Sequence, residues 1–134
     1  MTFTTDQFMA HARHDLANAR KIYSIDLSDV AAREAYMAAF HAAQAIILER
    51  RGTVPKTHRG VHNLFSELAK ETPQLGRDLV RFLKRAYTFK DSADYTHAYR
   101  ISDYDALQAI ETAESFVDAV ARLLEQAAAS DSPD

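Results

Sequence analysis

The chain has 134 residues, a formal net charge of -3, a pI near 6.0 and 47% hydrophobic residues, which suits one domain with a real core and argues against disorder or a histone-like basic coat. It has no cysteine, so a disulfide scaffold, a thiolate nucleophile, a zinc–thiolate site and an iron–sulfur cluster are excluded, and the composition fits a reducing cytoplasm. The opening "MTFTTDQF" lacks the basic region and apolar run of a signal peptide, and no window approaches the roughly 18 apolar residues that span a bilayer, so a cytoplasmic protein with no membrane partner is expected.

Gly and Pro number three each, few for a turn-rich sheet protein, and alanine is abundant. Five helices are expected. The first runs from about Asp6 to Tyr23, capped by Thr4 or Thr5, with Phe8, Ala12, Leu16 and Ala19 on one face. The second runs from about Ser28, a plausible N-cap, to Arg51; Tyr36, Phe40, Ala43 and Ile47 make its stripe, its alanines admit a close neighbour, and Gly52 ends it. Pro55 marks a loop, and a third helix spans about His58 to Lys70 with Val61, Leu64, Phe65 and Leu68 inward. The fourth runs from about Gln74 to Lys90 with Leu75, Leu79, Phe82, Leu83 and Ala86 inward. The last runs from about Asp103 to Ala127, capped by Ser102, and residues 128–134 form a frayed tail. Its stripe of Leu107, Ile110, Val117, Val120 and Leu124 is widened by Phe116, Leu123 and Ala127, which fits either a central helix or a dimer seam. No strand alternation and no internal repeat is evident. The expected fold is all-α, an antiparallel bundle of four to five helices in a single domain over residues 1–134.

Three constellations carry chemistry. "KDSADYTHAY", Lys90 to Tyr99, crowds a cation, two acids, a histidine and two tyrosines at a helix end; it is either a solvated terminus or a reactive site. His58 and His62 are four apart, so both imidazoles could face one metal, with His11, His14 or His41 as a third ligand that cannot be placed; the competing reading gives His58 a helix start and leaves His62 on the surface. No metal or other cofactor is expected on balance. Arg50, Arg51, Lys56, Arg59, Arg81, Lys84 and Arg85 could line a basic groove or a solvated face, and Arg81 and Arg85, one turn apart, point together.

"AYMAAFHAAQAIILERRG", then "KTHRGVHNLF", then "FLKRAYTFKDSADY", in this order, resemble the HEPN-domain family, nearest its small stand-alone bacterial members. The resemblance covers the second through fifth helices. It implies a helical bundle, often a homodimer, that acts as a metal-independent endoribonuclease, as the toxin of a toxin–antitoxin pair with a small nucleotidyltransferase partner, or as an RNA- or nucleotide-associated module without catalysis. The family's signature is an arginine, four to six residues, then a histidine, followed in one branch by a spacer and a tyrosine. Here Lys90 replaces the arginine, six residues intervene, and His97 and Tyr99 follow; a competing alignment centres on Asp94 and Tyr95.

On that resemblance Lys90 and His97 are the candidate catalytic pair. Histidine suits removal of a 2'-hydroxyl proton, and a lysine steadies charge growing on phosphorus, though less well than the planar fork of arginine. Asp94, Tyr95, Tyr99, Arg81 and Arg85 are the candidate substrate-binding residues. The alternative is a non-catalytic module that binds its nucleotidyltransferase through the fourth and fifth helices.

Overall fold

The computed structural model describes residues 3–95 and 101–130. Among these residues there are five α-helices and no strand: α1 (Thr5–Ser24), α2 (Ser28–Arg51), α3 (His58–Glu71), α4 (Arg77–Tyr95) and α5 (Asp103–Ser130), with a 3-10 turn at Pro73–Leu75 before α4. The all-α expectation is met, helix for helix. None of the helices is long and apolar enough to cross a membrane.

Local chemistry sets most of the helix ends. Thr4 caps α1 in a reciprocal box: the Gln7 amide donates to Thr4 Oγ1 at 3.1 Å, and the Thr4 amide donates to Gln7 Oε1 at 2.8 Å. Gly52 closes α2 in the left-handed region, at φ 83°. Thr57 caps α3 by accepting from the Gly60 amide at 3.0 Å. Ser102 caps α5, accepting from the Asp105 amide at 3.1 Å as expected.

Three boundaries differ from the sequence reading. Ser28 is the first residue of α2 and not its cap; Leu27 stands at the N-cap, and the Ser28 hydroxyl is drawn away to donate to Asp103 Oδ1 at 2.6 Å. Gln74 lies in the 3-10 turn, and α4 begins after Gly76, then continues past Lys90 to Tyr95. Residues 128–130 are not frayed but complete α5.

α2 is the hub. It packs on α1 across a three-residue turn, and on α5, α3 and α4. Its buried alanines, among them Ala31, Ala35, Ala38, Ala39, Ala42 and Ala43, let the neighbouring backbones approach. The main core joins Tyr36, Ile46 and Ile47 of α2 to Val61, Phe65 and Leu68 of α3, Leu83 of α4 and Phe116, Val120 and Leu123 of α5. Phe116 stacks on Phe65 at 4.9 Å. Of the residues that broaden the stripe of α5, Phe116 and Leu123 are buried within the chain and Ala127 is partly buried.

Gly60 sits where the loop carrying Pro55 folds over the first turn of α3. A methyl group there would meet Pro55 Cβ at 2.7 Å and Thr57 Oγ1 at 3.0 Å. Gly60→Ala is expected to lower stability by about 1–3 kcal/mol, because neither the proline ring nor the cap can move without loss; a urea unfolding midpoint checks this.

Candidate functional site

α4 is amphipathic. Leu83 is buried in the main core, and Leu79, Val80, Phe82 and Tyr87 pack against it, while Arg77, Asp78, Arg81, Lys84 and Arg85 are exposed. A cleft of about 120 Å³ opens where α4 meets α2 and the first half of α5. Its floor is apolar, from Ala32, Phe82 and Ala109, and its rim carries Arg85, Asp105, Gln108 and Thr112. That volume suits a small group, and the rim offers a guanidinium, an amide and a hydroxyl together with the carboxylate of Asp105.

Beside this cleft a set of short bonds holds the residues before α5 to the start of α2. Ile101 is buried, and its amide donates to Asp29 Oδ1 at 2.6 Å. The Ser28–Asp103 bond lies next to it, and Ser102 caps α5. The start of α2 thus fixes the start of α5, and so one end of the segment that joins α4 to α5.

Among the sequence candidates, Arg85 lines this cleft. Arg81 does not: it lines a separate cleft between α3 and α4, with Ser66, Ala69, Lys70, Arg77 and Val80. Arg81 and Arg85, one turn apart, thus line different clefts, one on each side of α4. Lys90, Asp94 and Tyr95 belong to the last turns of α4, with their side chains outside the described residues, and His97 and Tyr99 lie outside the described residues altogether. Lys90 follows Leu83 by seven residues, two helical turns along α4. Among the other basic residues, Arg51 reaches Glu71 at 3.4 Å and ties the end of α2 to the end of α3.

A second constellation was only half visible in the sequence. Tyr36 is fully buried, and its hydroxyl lies 2.8 Å from His58 Nδ1 and 3.1 Å from His62 Nε2. One phenolic proton cannot serve both nitrogens, so one imidazole donates to the hydroxyl and the other accepts from it. His58 is sandwiched between Phe40 at 4.2 Å and Tyr87 at 5.1 Å. Burial, then His58, then Lys84, pushes His62 down to about 4, so its imidazole is neutral at physiological pH. Burial, reinforced by Tyr87, raises the Tyr36 phenol, which stays protonated. The two imidazoles therefore turn on a tyrosine hydroxyl, and the expectation of a surface His62 is corrected.

His11 and His41 belong elsewhere, on the α1–α2 seam, with ring centroids 5.5 Å apart. His41 Nδ1 donates to Gln44 Oε1 at 2.9 Å, and Nε2 faces Asp15 Oδ2 at 3.5 Å. Burial raises the Asp15 carboxyl, and His41, His11 and His14 partly oppose it. Among the described residues no group of three His, Asp or Glu side chains is placed to hold a metal ion.

Comparison with known proteins matches residues 5–124 to the family model described as the HEPN domain. The chain is 34% identical over 100 residues to a UPF0332 protein of Archaeoglobus fulgidus, covering 75% of this chain and 78% of that one. It is 29% identical over 115 residues to a protein of Methanocaldococcus jannaschii named "Putative toxin", covering 86% and 84% of the two chains. A further protein of that organism with the same designation is 25% identical over 101 residues, covering 75% and 68%.

Proposed function

Because the chain belongs to the HEPN-domain family, we propose that it is a ribonuclease-like protein of the toxin class whose RNA site lies at the junction of α4 and α5. Lys90 and His97 are the catalytic pair, Arg85 holds a phosphate in the adjoining cleft, and Asp94, Tyr95 and Tyr99 contact the substrate. The observation that carries this reading is the cleft at Arg85 beside the α4–α5 junction, in a chain whose residues 5–124 match the HEPN domain. Lys90 lies five residues, about 7.5 Å along the axis, beyond Arg85. The toxin designation of the Methanocaldococcus relatives supports the same class.

The reaction needs no metal. His97 takes the proton of a ribose 2'-hydroxyl, the oxygen attacks the adjacent phosphorus, and the 5'-oxygen of the next nucleotide leaves with a proton returned to it. The products are a 2',3'-cyclic phosphate and a 5'-hydroxyl. Lys90 neutralises the charge that grows on the phosphoryl oxygens, and Arg85 holds a neighbouring phosphate. Purified protein is expected to cleave single-stranded RNA in excess EDTA, and Arg85→Ala to raise KM about tenfold through loss of one charge-assisted contact. An unchanged KM removes Arg85 from the site.

A second reading, a non-catalytic module that docks a nucleotidyltransferase, draws on the exposed apolar residues Ile25, Leu27 and Tyr104 near the start of α5. Co-purification with such a partner that survives in wild type and is lost in Leu27→Asp would favour it.

A further inference from the structure

The cleft between α3 and α4 has no part in the catalytic arrangement above, and its chemistry is one-sided. Lys70, Arg77 and Arg81 line it together with Ser66, Ala69 and Val80, and no carboxylate does. In a chain of net charge -3 a surface concavity carrying three cations and no acid is a local reversal of the protein's own field. Neither Lys70 nor Arg77 forms an ion pair among the described residues. Arg81 approaches Asp78 at 3.7 Å, but both side chains are largely in water, so that contact restrains Arg81 little. Asp78 itself does not line the cleft, and 94% of its side chain is exposed. The volume, about 520 Å³, exceeds that of the cleft at Arg85 and suits a nucleotide rather than a bare phosphate. Ser66 and the first turn of α4, which opens at Arg77, add hydrogen-bond donors to the three cations.

Both clefts share α4. From Arg77 to Arg85 is eight residues, about 12 Å along the axis, and from Arg77 to Lys90 is thirteen, about 20 Å, a span that a few nucleotides of extended single strand cover. We infer that the α3–α4 cleft, through Lys70, Arg77 and Arg81, is a second phosphate-binding subsite that grips the backbone of a single-stranded RNA whose scissile phosphate lies at the α4–α5 junction. The inference rests on the RNA-directed reading of that junction. The subsite reads no base: its side chains are one ammonium, two guanidinium groups and one hydroxyl above an alanine and a valine, which suits backbone binding without sequence preference.

The test separates binding from cleavage by using a fluorescent 2'-O-methyl oligouridylate, which lacks the attacking hydroxyl. Its affinity for the full chain is measured by anisotropy over a range of salt. The triple variant Lys70→Gln, Arg77→Gln, Arg81→Gln is expected to bind at least tenfold more weakly at low salt. The slope of log affinity against log salt is expected to fall by about 2, at roughly 0.7 for each single-strand contact. A control that removes three exposed charges elsewhere, Arg13→Gln, Lys21→Gln, Arg122→Gln, corrects for net charge, and circular dichroism checks the fold of both. In cleavage, the triple variant is expected to raise KM on a long strand and leave turnover of a dinucleotide unchanged. Equal affinity and equal slope in the two triple variants would overturn the inference, as would equal loss on the long strand and the dinucleotide. A wild-type protein that binds this probe through the cleft but cleaves no RNA would instead overturn the catalytic reading and leave the subsite standing.

Discussion

Lys90→Ala is expected to slow RNA cleavage by about 100- to 1,000-fold, the usual consequence of removing one preorganised charge from a developing oxyanion. His97→Ala is expected to slow it by about 100- to 10,000-fold, through loss of the proton acceptor. The more discriminating substitution is Lys90→Arg. The family's signature carries arginine at this position, and a guanidinium meets two phosphoryl oxygens at once where an ammonium meets them as a point charge. If Lys90 is the phosphate clamp, Lys90→Arg keeps or raises the rate while Lys90→Ala removes it. If Lys90 serves only as a favourable cation near a helix C-terminus, both variants cleave like wild type and differ from it only slightly in stability. Initial rates on a single-stranded oligonucleotide, in EDTA, distinguish the two outcomes.

The largest effect on stability is expected at Tyr36. Truncation to alanine empties the meeting point of α2, α3 and α4 and is expected to cost about 3–5 kcal/mol. Tyr36→Phe keeps the ring and strips the hydroxyl from His58 Nδ1 and His62 Nε2; leaving the buried His62 nitrogen and the half-buried His58 nitrogen without that partner is expected to cost about 1–3 kcal/mol. The same cluster gives a pH dependence of definite sign. His62 is held at about 4 in the fold against 6.5 in the free side chain. Between those values the unfolded chain takes up a proton that the folded chain refuses, so stability falls as pH drops from 6.5 towards 4, by at most about 3 kcal/mol from this group. Asp15 and Glu34, whose carboxyls burial raises, pull the other way at acid pH. The difference between wild type and His62→Gln isolates the imidazole: glutamine retains a hydrogen-bonding group near Tyr36 but does not titrate, so its stability curve is expected to be flatter over that window. Parallel curves would show that His62 takes up its proton as readily in the fold as outside it.

The periods of the sequence carried the architecture because each helix has a stripe of one phase. Tyr36, Phe40, Ala43 and Ile47 are all buried, and Val61, Phe65 and Leu68 likewise. What the sequence could not carry was the relation between stripes. Tyr36 read as one more core residue and His62 as a surface residue, since their hydrogen bond needs α2 and α3 in a particular register 26 residues apart in the chain. Ser28 looked like a cap because caps are serines; its actual partner, Asp103, is 75 residues away. Arg81 and Arg85 share a flank of one helix, yet the helices on either side give them different clefts.

The most direct test is the chemistry of the cut ends. Purified protein is incubated with single-stranded RNA in excess EDTA, and the fragments are analysed by mass spectrometry beside those from His97→Ala. The predicted result is fragments ending in 2',3'-cyclic phosphate and beginning in 5'-hydroxyl from wild type, and intact RNA from the variant. Intact RNA from both, or the same fragments from both, would contradict a metal-independent ribonuclease site at the α4–α5 junction.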